Sequence, residues 1–164
     1  MLRSLKVGEF GYNITKKTFK DLYLIYLNIN IMSNSNILTI FNDHFAEFLN
    51  DIHGVFPDDA DILTAKNSLA SIRKANPKLL ARIWIKYVAD PYRDRIIEGD
   101  INFFIEKDYA NDLTKTGNSD QIMESIDRLR KPVKQMNSEN RQKTMKYIQN
   151  LCKISDMIPT STFN

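Results

Sequence analysis

The chain has 164 residues, 43% hydrophobic, with one cysteine and a formal net charge of +3. That length suffices for one buried core without metal or disulfide support. A lone cysteine excludes an internal disulfide and points to a reducing, cytosolic origin. The small net charge excludes an argument for nucleic-acid binding from charge alone.

Residues 1–34 read as an extended arm. Within it Leu27, Ile29 and Ile31 alternate with Asn28 and Asn30, the two-residue period of a half-buried strand. A single strand needs a partner, so these three residues are the candidate subunit-docking element, either in a hairpin or by edge pairing with another chain. The apolar run 22–32 is about half of the ~20 residues a membrane-spanning helix needs, so no span is expected. Ser33-Asn34-Ser35 is a poor signal-peptidase site. Met32 opens an alternative start, with the arm as an upstream extension.

Residues 35–156 read as a single helical domain. A helix capped by Ser35 or Asn36 and ended by Gly54 carries Leu38, Phe41, Phe45, Phe48, Leu49 and Ile52 on one stripe. Asp58 or Asp59 caps a second helix to about Lys74, with Ile62, Ala65, Leu69 and Ile72 inward. A calcium loop begun at Asp59 would need Gly and Glu where Thr64 and Ala70 stand, so these acids read as caps at a helix N-terminus. Asn76-Pro77 starts a third helix with Leu80, Ile83, Trp84, Tyr87 and Val88 on its apolar face. Asp90-Pro91 repeats that start, Gly99 stops a short helix bearing Tyr92, Ile96 and Ile97, and Asp100 caps a turn with Ile101, Phe103, Phe104 and Ile105. The polar segment NDLTKTGNSD is the longest internal loop. A helix from Asp120 to about Arg130, with Ile122, Ile126 and Leu129 inward, ends near Pro132. Ser138 caps a last helix to about Ile154, and residues 157–164 form an irregular tail.

The expected fold is therefore all-α: a compact bundle of five to seven short helices behind a strand-like arm. Its core is placed at Phe41, Phe45, Phe48, Trp84, Tyr87, Phe103 and Phe104.

Catalytic chemistry finds no foothold in this pattern. His44 and His53 lie nine residues apart and do not share neighbouring helical turns as a metal pair does. No nucleophile with a nearby base and no glycine-rich phosphate loop can be assembled. No enzyme activity, cofactor or metal is expected.

Charge patterning is more informative. The arm holds the whole excess, with Arg3, Lys6, Lys16, Lys17 and Lys20 against Glu9 and Asp21. Positions 42–61 contain six acids and no Lys or Arg. Positions 128–146 contain Arg128, Arg130, Lys131, Lys134, Arg141, Lys143 and Lys146 against Glu139 alone. Those seven cations are candidate contacts for nucleic acid or a protein partner, or they pair the acidic early helices.

The pattern Phe56-Pro57-Asp58, Ala75-Asn76-Pro77 with Leu79-Leu80, Ile83-Trp84, Pro91-Tyr92, Ile96, Gly99-Asp100, Phe103-Phe104 and Lys107-Asp108-Tyr109 resembles a family of small α-helical proteins of large nucleocytoplasmic double-stranded DNA viruses of algae and protists. The resemblance covers roughly residues 40–150 and brings no active-site residues. It implies a helical fold and a viral setting, in the virion or in the host cytoplasm during assembly. Joined to the arm and the charge split, it leads to the expectation of a minor capsid component that docks other capsid proteins. A nucleic-acid-associated regulator and a host-interaction adaptor are the alternatives.

Overall fold

The computed structural model describes residues 34–107 and 120–164. The chain divides at Ser35/Asn36, and the second unit, Asn36–Asn164, is described here. The docking residues Leu27, Ile29 and Ile31 and most of the polar loop lie outside the described residues.

The described residues form an all-α fold without a strand. Helix α1 spans Asn34–Val55 and buries Leu38, Phe41, Phe45, Phe48, Leu49 and Ile52, together with Ile37. It runs through Gly54, contrary to the expected stop. Gly54 is not among the glycines at positive φ, the Phe56 N–H still reaches the Ile52 carbonyl at 3.2 Å, and Pro57 ends the rod instead. Helix α2, Ala60–Ala75, is capped by Asp59, whose carboxylate accepts from the Asp61 and Ile62 amides at 2.9 and 3.0 Å. Ile72 on its predicted inner face is only half-buried.

Asn76 then caps α3, Pro77–Trp84, with Pro77 at the start. The short helix expected from Asp90-Pro91 to Gly99 is present, but Asp90 does not cap it, because the chain enters it from a preceding helical turn without a break. Ile85–Ala89 forms a π turn, the Asp90 amide donates to the Ile85 carbonyl, and Asp90 itself is helical (φ −65°, ψ −50°). Proline lacks an amide and its ring crowds the carbonyl one turn back, and the widened turn lies just before Pro91. The bend comes at Tyr92 (φ −121°, ψ 20°), inside α4, Asp90–Glu98. Gly99 ends α4 in the left-handed region at φ 74°, and Asp100 caps α5, Ile101–Glu106, by accepting from the Phe103 amide.

Helix α6 runs from Asp120 to Gln135, past Pro132, where a stop was expected. Arg141 donates to the Met136 carbonyl at 3.1 Å and to the Lys134 carbonyl, which satisfies the C-terminal acceptors beyond the proline. Helix α7 spans Ser138–Asp156, and its cap is Asn137 rather than Ser138: the Asn137 side chain accepts from the Asn140 amide at 2.8 Å. The tail is not irregular throughout. Thr160–Phe163 makes a 3-10 turn, and Arg82 of α3 donates to the Phe163 carbonyl at 3.3 Å with its guanidinium 5.9 Å from the Phe163 ring.

Helix α2 packs mainly on α6 and on α3; α7 lies against α4, α5 and α6. Ring contacts join α1 to the centre. Trp84 is 4% exposed and sits 5.8 Å from Phe45, edge to face, and 6.2 Å from Phe41. Phe41, Phe45, Phe48, Trp84 and Phe104 are buried. Tyr87 and Phe103 are half-buried at the rim, where Lys86 and Arg95 lie over their rings. On the short helix α4, Ile96 is buried and Ile97 is 70% exposed.

Candidate interaction surface

The basic run splits into groups with different fates. Arg128 donates to Asp61 of α2 at 2.7 Å and to Glu124, one turn back, at 2.9 Å. Its hydrogen bond to Glu124 first, and then that to Asp61, raises its pKa further. Lys143 reaches Asp51 of α1, and this hydrogen bond holds the ammonium above its ordinary range. Arg130 pairs with Asp127 and donates to the Lys107 carbonyl at the end of α5. Arg141 serves the C-terminus of α6, as described above.

Lys131, Lys134 and Lys146 are exposed and make no ion pair among the described residues. Lys131 and Lys134 share a groove of about 500 Å³ with Ile105, Glu106, Asp127 and Arg130, while Lys146 stands on α7 outside that lining. The seven cations are therefore not one continuous binding strip.

Two further pairs join helices without involving the basic run. Arg73 of α2 holds Asp43 of α1, and Arg93 of α4 donates to Asp156 of α7 at 2.7 Å. The hydrogen bond to Asp156 raises the Arg93 pKa against the lowering effect of partial burial. Nothing in the local pattern pointed to either pair: partners 30 and 63 residues apart meet only after the helices have packed.

His44 and the cysteine both lie in packed surroundings. His44 lies 3.3 Å from Glu47 and 5.1 Å from the Tyr147 ring. Burial, and then the charge of Asp51, pushes the Tyr147 hydroxyl up. Cys152 is buried, and that burial first, then Asp156, raises its thiol pKa, which disfavours the thiolate. Among the described residues no group of three or more His, Cys, Asp or Glu could hold a metal ion, and no helix is long and apolar enough to cross a membrane.

Beneath Trp84 lies an apolar cavity of about 80 Å³, walled by α1, α3, α5, α6 and α7 through Phe48, Trp84, Phe104, Val133 and Ile148 among others. The Trp84 indole N–H has no acceptor among the described residues. Sequence patterning gave no sign of the cavity, because it depends on how five elements meet.

Comparison with protein-family models, with curated proteins and with solved structures returned no match to this chain.

Proposed function

We propose that this chain is a non-catalytic assembly protein, a minor capsid component of a large double-stranded DNA virus, which docks other capsid proteins through residues 1–31. One observation carries the reading. The residues after 31 balance to zero formal charge, and the pairs Arg128–Asp61, Lys143–Asp51, Arg73–Asp43 and Arg93–Asp156 join opposed charges across the helices, whereas the formal excess of +3 belongs to residues 1–31. A body with no net charge offers little long-range attraction for a partner, and a segment with a formal charge of +3 offers more. The resemblance to viral helical proteins supplies the setting. Quantitative mass spectrometry of purified particles tests it: the chain should be present at fixed stoichiometry to the major capsid protein. Its absence from particles and recovery with a host protein would favour a host-interaction adaptor instead.

The exposed Lys131 and Lys134 favour a second reading, a nucleic-acid-associated regulator. Each phosphate contact contributes about 0.9 to the slope of log affinity against log salt, so contacts from Lys131, Lys134 and Lys146 would limit the slope to about −3. Filter binding on the full chain separates the readings. A slope near that value at sub-micromolar affinity would favour the regulator, and binding no stronger than that of a neutral control protein would favour the assembly role.

A further inference from the structure

The apolar cavity and the groove beside it have two wall residues in common, Ile105 and Arg130. The two spaces adjoin at these side chains, one in the interior around Trp84 and Phe104 and the other at a charged surface on α6. The inner part, at about 80 Å³, is smaller than the roughly 150 Å³ cavity that accepts benzene, so it admits a slender alkyl end more readily than a ring. The outer part is wider and polar. Arg130 at the junction is engaged by Asp127 and the Lys107 carbonyl. Lys131 and Lys134 remain without an ion pair among the described residues, and Glu106 opposes them, so three cations face two carboxylates around the groove.

We propose that these adjoining spaces open to one another between Ile105 and Arg130 and bind a single-chain amphiphile with a carboxylate head, of the medium-chain fatty-acid class. Its alkyl end enters the cavity beside Trp84, Phe104 and Val133, and its carboxylate lies outward at Lys131 and Lys134. Apolar surface removed from water drives the tail inward, and the excess positive charge at the mouth selects the sign of the head. The proposal names no residue of 1–31, so its failure would leave the assembly reading untouched.

Trp84 is the chain's single tryptophan and lines the cavity, which gives a direct signal. The full chain is titrated with sodium decanoate below its micelle-forming concentration, with 1-decanol and decyltrimethylammonium in parallel, while Trp84 emission and the melting midpoint are followed. The expected result is a saturable one-to-one change in emission with decanoate, a raised midpoint, and weaker binding of both other probes. The exposed double substitution Lys131→Glu/Lys134→Glu should weaken decanoate about tenfold and leave decanol unchanged. Equal affinity for decanoate and decanol, an emission change that never saturates, or unaltered decanoate binding by the lysine variant would each overturn the proposal.

Discussion

The centre around Trp84 and the charged seams around it hold the helices together by different means. At the centre, Phe41, Phe45 and Trp84 are at most 4% exposed, and every ring meets another within about 6 Å. At the seams, Arg128, Asp61 and Lys143 keep 39%, 57% and 55% of their side-chain surface in water, and Asp51 keeps 26%. Burial of a large aromatic side chain contributes several kcal/mol, whereas a hydrated ion pair contributes little and is screened by salt. The centre therefore accounts for stability, and the seams select which helix faces which.

Substitutions that remove core volume sharpen this contrast most. Trp84→Ala should cost about 3–5 kcal/mol, read as loss of the cooperative thermal transition or a large fall in its midpoint. A variant that melts like the parent would place the core elsewhere. Next come the backbone stops. Asp100→Ala removes the acceptor of the Phe103 amide and should cost about 1 kcal/mol, measured by urea denaturation. Gly99→Ala should be comparably harmful, because it forces an L side chain into φ 74° with its Cβ 3.4 Å from the Gln149 amide nitrogen.

Alkaline pH gives a smaller, graded effect. Burial raises the folded-state pKa of Cys152, so its thiol loses its proton in the unfolded chain first. Its contribution is complete below the unfolded value of 9.0 and fades as pH rises beyond it. Lys143 behaves alike in sign: with its pKa raised by Asp51, its pairing is complete below 10.5 and lost above. Thermal midpoints should fall from about pH 9 upward, and Cys152→Ala should flatten the first part of that fall. Smallest of all is Arg128→Ala, a slight loss at low salt that disappears in 1 M salt. A large loss that survives salt would mean the seams do more than sort neighbours.

How much of this was legible in the sequence depended on the range of the chemistry involved. Asp59, Asn76, Gly99 and Asp100 act within three residues of themselves, and each stands where its local pattern places it. Asp90-Pro91 has the same local grammar as Asn76-Pro77, yet the π turn before it lets the helix pass through. Pro132 misled for a similar reason, since Arg141, nine residues later in the chain, satisfies the helix end beyond it. Ser138 and Asn137 are adjacent cap-forming residues, and only backbone geometry chooses between them. On the candidate surface, the notion that basic positions 128–146 answer acidic positions 42–61 was readable from charge. The partner of each cation was not, because Lys143 and Asp51 are 92 residues apart.

The central claim is that the helical body carries the fold and residues 1–31 carry the docking. The most direct measurement compares particle incorporation of the full chain with that of a chain lacking residues 1–31, each first checked by circular dichroism. The account predicts that the shortened chain keeps its helical signal and thermal midpoint but is absent from purified particles. A folded, shortened chain incorporated at the normal level would contradict it.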